Sequence, residues 1–371
     1  MLVTAARVHT GHELLNPGFV VVEGDRIVEV GVWSESRGAA DLHLGDVTLA
    51  PGYVDVHNHG GGGASFTSDA ELAAATHRSY GTTTVIASTV TQELGTLGHQ
   101  VEGLRPYVED GTVAGIHLEG PWLSELYHGA HPVPLLRDPD PEEVAGVVDA
   151  AGGTVRQVTL AVERPGGIGA VRVLAERGIV AAVGHTDATH PRVLEAIEAG
   201  ATGATHLFNA MRPLRHRDPG PVVALMADER VWCEIVVDGV HIDPALVAYA
   251  FSVNPDRMVL ITDAMAAAGA ADGDYDLGDL SVEVRDGVAR VAGTTTIAGS
   301  TLTMSAAVRN AVSYGVDPFV AVRAATLLPA RYMGLEGCGE LVPGAVANLV
   351  VLDDAYDVAR VMWKGDWLTE R

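Results

Sequence analysis

The stretch PGYVDVHNHGGGG, residues 51–63, decides how the whole chain is read. It is an alternating apolar run that ends in two histidines and four glycines. In a β-strand residues two apart share a face, so Asp55, His57 and His59 point one way while Val54, Val56 and Asn58 point the other. Two imidazoles therefore converge near the strand's C-terminal end. Such a pair is either two interior histidines satisfied by hydrogen bonds or part of a metal site. Further ligand types at the ends of other strands would separate the two readings.

Working outward, residues 51–337 alternate apolar strand candidates with helix-like stretches, the pattern of parallel βα units. The candidates are YVDVHNH, TTTVIAST, AGIHLEG, VRQVTLAVE, VAAVGH, ATGATHLF, VWCEIVVDG and MVLITDA. Eight such segments fit an α/β fold, a (β/α)8 TIM-type barrel. Between them, DAELAAATHRSYG at 69–81 and HPRVLEAIEAG at 190–200 show helical spacing of apolar residues and a terminal glycine. AGAADGDYDLGD, residues 268–279, reads as an exposed excursion near the barrel mouth. Residues 1–50 carry short strands, with Glu23-Gly24-Asp25 as a hairpin connection, and the same texture returns in 338–371. The two ends are expected to build one small β-sandwich domain beside the barrel of 51–337.

The chain has 371 residues, 47% of them hydrophobic, enough to fill a barrel core and a smaller companion. Its formal charge of −24 argues against nucleic acid or an anionic membrane as partner. An anionic small molecule would need local donors. Cys233 and Cys338 fit no metal or redox spacing and read as free thiols of a reducing compartment. With no signal-like segment and no apolar run of about 18 residues, the expectation is a cytoplasmic, soluble protein.

Barrel chemistry sits at the C-terminal ends of the strands. Those ends supply His57 and His59 from the first strand, Glu119 from the third, His185 from the fifth, His206 from the sixth and Asp263 from the eighth. Crowding these groups into one concave site costs several kcal/mol, of the order found for buried unpaired charges, unless a cation satisfies them. The expected arrangement is one divalent ion held by His57, His59 and Asp263, a second by His185 and His206, and Glu119 bridging. With N and O ligands and no thiolate, Zn, Fe(II), Mn and Co all remain open.

HNH after the first strand, single histidines ending the fifth and sixth, and Asp at the eighth resemble the amidohydrolase superfamily. Many of its members bridge their metals with a carboxylated lysine. The sole lysine here is Lys364, in the C-terminal strand region, so the bridge falls to Glu119. HLEGPW (117–122), GAH (129–131), GHTDA (184–188), THLFNAM (205–211), VDGVH (237–241), TDAM (262–265), AGSTLTM (298–304) and PGAVANLVVLD (343–353) narrow the likeness. Together they resemble N-acetylglucosamine-6-phosphate deacetylases over nearly the whole chain. VPLLRDP, residues 133–139, departs from that pattern. The resemblance implies metal-dependent hydrolysis of an N-acetyl group, with Asp263 as general base and acid and His131 donating to the substrate carbonyl. Asn209, the backbone N–H of Ala210, Arg217 and His241 match the phosphate-binding positions. In relatives the arginine reaches across a subunit boundary, which implies a homodimer or larger homo-oligomer. An enzyme of the same superfamily acting on a cyclic amide or another acylated amine is the alternative, and a silent binding protein a more distant one.

Other residues fit no role. His117 shares a face with Glu119 but lies one layer deeper and reads as a hydrogen-bonded interior histidine. His9, His12, His43, His77, His99, His128, His190 and His216 are expected to be exposed or local. Arg212 and Arg215 compete with Arg217 but read as surface charge. Glu163 ends the fourth strand without a role. Gly60 to Gly63 either admit close approach of sugar or metal or form a flexible loop.

Overall fold

The computed structural model describes residues 1–369; residues 370 and 371 of the C-terminal segment lie outside it. Eight parallel strands pair in sequential order: β1 (Tyr53–Asn58), β2 (Thr82–Thr89), β3 (Ile116–Glu119), β4 (Val155–Leu160), β5 (Val180–Val183), β6 (Gly203–Ala204), β7 (Trp232–Val236) and β8 (Met258–Ile261). Each falls within one of the eight segments expected from the sequence. A parallel bridge between Asn58 and Ala264 brings the eighth strand back to the first, so the sheet is a nearly closed barrel. Buried on both faces, the strands read as apolar runs rather than a clean alternation, as in VAAV of β5 and MVLI of β8.

Several helices start in the same way. Asp140, Asp243 and Asp317 each cap a helix with the side chain accepting a backbone N–H of its first turn, and a proline follows at the first helical position. The carboxylate satisfies an orphan donor and meets the positive end of the helix dipole, worth about 1 kcal/mol per cap. Part of the chain's acidity is thus structural.

Both termini build the companion layers. Strands Arg7–His9, Leu14–Leu15, Thr48–Pro51, Leu349–Leu352, Val358–Trp363 and Asp366–Trp367 form one sheet; Leu2–Ala5, Gly18–Glu23, Arg26–Val32 and Leu42–His43 form another. They share a core that includes Val8, Val20, Ile27, Leu49, Leu349 and Met362. The Gly24-Asp25 hairpin is present, with Gly24 at φ +58°. Neither cysteine is bridged, and no described helix is long and apolar enough to cross a membrane.

The 268–279 excursion differs from expectation. Gly273–Leu277 begins a three-stranded antiparallel sheet continued by Leu280–Arg285 and Val288–Val291. Leu277, Val282, Val284 and Ala289 pack on Met265, Ala266, Ala267 and Ala298. Its period-two pattern is interrupted by Gly278-Asp279 and Asp286-Gly287 at the turns, and that turn chemistry hid the strands.

Two of the histidines expected to be exposed or local, His9 and His77, are buried. His9 contacts the carbonyl of Phe319 at 3.1 Å, and burial pushes its imidazole down to about 4. His77, on the helix Ala70–Ser79, donates from Nε2 to the Gly60 carbonyl at 2.8 Å. That contact bears on the first two glycines of the run. A Cβ on Gly60 would lie 2.3 Å from the Ala64 carbonyl oxygen, and one on Gly61 would lie 2.7 Å from His77 Nε2. Gly60 and Gly61 permit close packing of the chain on itself, and none of the four glycines lines the main cavity.

Candidate active site

The barrel's C-terminal ends bring His57, His59, Glu119, His185, His206 and Asp263 together, all buried. Glu119 is the last residue of β3. His185, His206 and Asp263 each follow their strand by two residues, at φ +45°, +29° and +49°. Left-handed backbone at non-glycine residues costs about 1–3 kcal/mol apiece and persists where the surroundings over-determine it. Here it turns each side chain inward at the point where the strand ends. Asp263 is held by its own N–H donating to the His57 carbonyl at 2.9 Å.

The donor atoms fall into two groups that share Glu119. On one side, His59 Nε2 lies 3.3 Å from both Glu119 Oε2 and Asp263 Oδ1, and His57 Nε2 lies 3.5 Å from the same two oxygens. On the other, Glu119 Oε1 lies 3.2 Å from His185 Nε2 and 3.1 Å from His206 Nε2. Tetrahedral coordination with bonds of about 2.0–2.1 Å has edges of about 3.3 Å. Both groups have that size.

The imidazoles themselves call for cations. His57 Nδ1 lies 3.0 Å from Glu234 and His185 Nδ1 2.8 Å from the Tyr127 carbonyl, both acceptors, so the ring protons sit on Nδ1. The Nε2 lone pairs then face neighbouring nitrogens: His57 to His59 at 3.1 Å, His185 to His206 at 3.0 Å. A cation between them would satisfy the His57 and His185 lone pairs together with the facing oxygens of Glu119 and Asp263. The electrostatics agree. Burial alone would lower His57 and raise Glu119 and Asp263. Mutual attraction overturns it, lifting the imidazole well above its ordinary value and holding both carboxyls below theirs. This donor set fits two divalent cations.

His131 occupies a different position. Its Nε2 is 3.7 Å from Glu119 Oε2, and its donor atom also falls with those of Glu119 and His185 in a compact group. However, its Nδ1 lies 2.8 Å from the Thr91 hydroxyl and 3.4 Å from the Thr91 backbone N–H. A backbone N–H can only donate, so Nδ1 accepts and the proton sits on Nε2. Burial, with His185 nearby, pushes the ring down to about 3, which keeps it neutral. His131 thus offers an N–H to the site rather than a lone pair.

A cavity of about 390 Å³ opens above these groups. Asn209, Ala210 and His241 line it, as do apolar Val90, Leu277 and Ile297. Asp238 grips His241 Nδ1 at 2.7 Å. Burial alone would lower that imidazole, and Asp238 raises it above its ordinary value. Arg217 is exposed and does not line the cavity of its own chain. Arg212 is committed locally, to Asp187 at 2.9 Å and Asp218 at 2.8 Å.

His117 is interior, between the Ser88 hydroxyl at 2.9 Å and the Thr159 hydroxyl at 2.8 Å. Glu163 accepts from the Asp187 N–H at 2.7 Å and the Thr186 hydroxyl at 2.5 Å, fixing the turn after His185. Thr91, Glu234 and the cavity-lining residues Thr295, Thr296 and Ile297 carry no signal that the sequence reading used. A glutamate inside the apolar run WCEIV was the one available signal for Glu234.

A model of the Amidohydrolase family matches residues 48–368. The chain is 37% identical to N-acetylglucosamine-6-phosphate deacetylase of Bos taurus, over 99% of this chain and 95% of that protein. It is 38% identical to N-acetylgalactosamine-6-phosphate deacetylase of Escherichia coli O157:H7, over 85% and 86%. The crystal structure of N-acetyl-D-glucosamine-6-phosphate deacetylase from Mycobacterium smegmatis matches at a TM-score of 0.96 and 50% identity, covering 100% of both chains. A nearly closed eight-stranded barrel, carboxylates and imidazoles gathered at its mouth, and a family match over most of the length agree: the chain belongs to the amidohydrolase family.

Proposed function

We propose that the chain is a metal-dependent deacetylase that converts N-acetylglucosamine 6-phosphate and water to glucosamine 6-phosphate and acetate. The observation that carries this reading is Glu119 presenting one oxygen to each of two donor groups at the floor of a cavity. Names of relatives aligned over most of the chain supply the substrate class. His57, His59 and Asp263 would hold one ion and His185 and His206 the other, with Glu119 available to both; Zn, Fe(II), Mn and Co suit such ligands.

Divalent cations held by these residues would supply Lewis acidity, bringing the pKa of water towards neutrality. Asp263, kept ionised by the imidazoles around it, accepts a proton as the water oxygen bonds to the acetyl carbon. The His131 Nε2–H donates to the carbonyl oxygen as negative charge develops there. Asp263 passes its proton to the amide nitrogen, the C–N bond breaks with its electron pair going to nitrogen, and acetic acid and the amine leave. At neutral pH the acid ionises to acetate.

Asn209, the Ala210 N–H and His241 take the phosphate, and Arg217 adds its fork of donors from a neighbouring subunit of a homodimer or larger assembly. Residues 51–337 form the catalytic unit, and 1–50 with the described part of the C-terminal segment, 338–369, the β-sandwich. Two free thiols suit a cytoplasmic setting.

A second substrate, the galacto epimer, is favoured by the 38% identity to the Escherichia coli relative. Acetate release from both 6-phosphates, with and without chelator and after zinc is restored, tests the proposal. Chelator-sensitive turnover of the gluco substrate is expected. Metal-independent turnover, or equal turnover of an unphosphorylated amide, would overturn it.

A further inference from the structure

Glu234 is a fully buried carboxylate in the middle of β7, and nothing in the reaction above uses it. It does not line the cavity. Its Oε1 accepts from Gln157 Nε2 of β4 at 2.7 Å and is 3.4 Å from the Tyr332 hydroxyl, whose proton burial and Glu234 hold in place. Its Oε2 accepts from His57 Nδ1 at 3.0 Å. Burying a carboxylate costs several kcal/mol, and apolar replacements of similar shape are often neutral or stabilising. A charge kept there points to a task other than packing.

The four ligand imidazoles are backed unequally. His57 has a carboxylate behind it, and His185 has the neutral Tyr127 carbonyl. The Nδ1 atoms of His59 and His206 are buried and find no hydrogen-bond partner among the described residues. An anion behind a ligating imidazole fixes its tautomer and ring angle and raises the basicity of the far nitrogen. Resting on the two-cation reading above, we infer that Glu234 is a positioning residue that sets the affinity of the His57–His59–Asp263 group while leaving the His185–His206 group nearly unaffected. The two ions are then unequal by design of the surrounding shell, although Glu119 is common to both.

Zinc titration of the full-length protein against a competing chelating dye tests this in Glu234→Gln, which keeps the shape and an acceptor oxygen but removes the charge. One of two ions is expected to bind about 10- to 100-fold more weakly, the other within about threefold. Anomalous scattering at limiting zinc should show the lost occupancy at His57, His59 and Asp263. The metal-free variant should unfold at a temperature no lower than the metal-free parent, which a packing defect would not allow. Both affinities unchanged, or both reduced alike, overturn the inference while leaving the two-cation reading intact. An unaltered protein that binds no zinc overturns both. Nitrogen NMR of the unaltered, zinc-loaded protein gives a test that needs no variant. A slowly exchanging proton on His57 Nδ1 with the metal at Nε2 supports the assignment, and metal at Nδ1 overturns it.

Discussion

Thr91→Val separates the two things His131 could do beside Glu119. The hydroxyl lies 2.8 Å from His131 Nδ1, while the backbone N–H, at 3.4 Å, is near the limit of a useful bond. Valine removes the good donor, keeps the weak one and preserves branching. Gly120 faces the hydroxyl closely, a Cβ there lying 2.3 Å from its oxygen, and the valine methyl takes the hydroxyl's place. A neutral hydrogen bond contributes about 0.5–1.5 kcal/mol, and that much loosening of the ring's tautomer and angle lowers kcat roughly two- to twelvefold. The ceiling is the loss of the donor itself, roughly 10²- to 10³-fold, expected of His131→Ala. The assay is acetate release under saturating substrate, with zinc content measured on the same samples. Expected are a kcat loss inside that window, a KM within about twofold, unchanged zinc, and recovery in Thr91→Ser. If kcat is unmoved, or zinc is lost along with it, His131 is not an N–H donor held by Thr91 and the tautomer argument fails.

Other perturbations address the remaining parts of the site. Asp263→Asn should keep most of its zinc, since the amide oxygen can still coordinate, yet lose about 10²- to 10⁴-fold in kcat; near-normal turnover would remove the proton-transfer role. Arg217→Ala should raise KM for the phosphorylated sugar by roughly 10- to 150-fold, the worth of charge-assisted bonds of about 1.5–3 kcal/mol, without raising it for the unphosphorylated sugar. Mixing this variant with Asp263→Asn subunits should restore some activity if the arginine acts across an interface. The raised His241 imidazole predicts a KM that climbs as pH rises above about 6.5, through the folded value, where the ring loses the charge that meets phosphate. The same pair has a stability signature. Asp238, pulled down despite its burial by His241, contributes above about 3.9 and loses its contribution as pH falls through its folded value. His241 contributes fully below about 6.5 and loses its contribution as pH rises through its folded value, so His241→Asn should cost most between those limits in urea titrations.

The legible part of this protein was whatever repeats or ends a strand. Eight apolar segments at βα spacing announce a barrel, because parallel strands covered on both faces cannot hide their composition. Polar residues just beyond each run then stand out, and His57, His59, Glu119, His185, His206 and Asp263 were found that way. Illegible residues were those whose meaning depends on a partner far along the chain. Thr91 matters through His131, 40 positions away, and Glu234 through His57, 177 positions away. Neither separation has a period that a single sequence can reveal. The three-stranded sheet beginning at Gly273 is hidden for a different reason: Gly and Asp at its hairpin turns outweigh the alternation between them.

His77 shows the same limit from the opposite direction. On the helix Ala70–Ser79 it looks like any polar residue of an amphipathic face, and it becomes intelligible only once Gly60 and Gly61 are seen pressed against its ring. The glycine run beside His57 and His59 therefore says less about chemistry than its position suggests. A glycine tract next to ligands invites a reading in terms of ligand approach, but the hypothetical Cβ contacts at Gly60 and Gly61 are with the chain's own Ala64 carbonyl, His77 ring and Ala268 carbonyl. Steric demand here comes from folding β1 directly into a tight hairpin, Gly60–Gly61 against Ala64–Ser65, which seats the loop after His59 under the helix. The requirement on those glycines is packing, and the chemistry beside them inherits its rigidity.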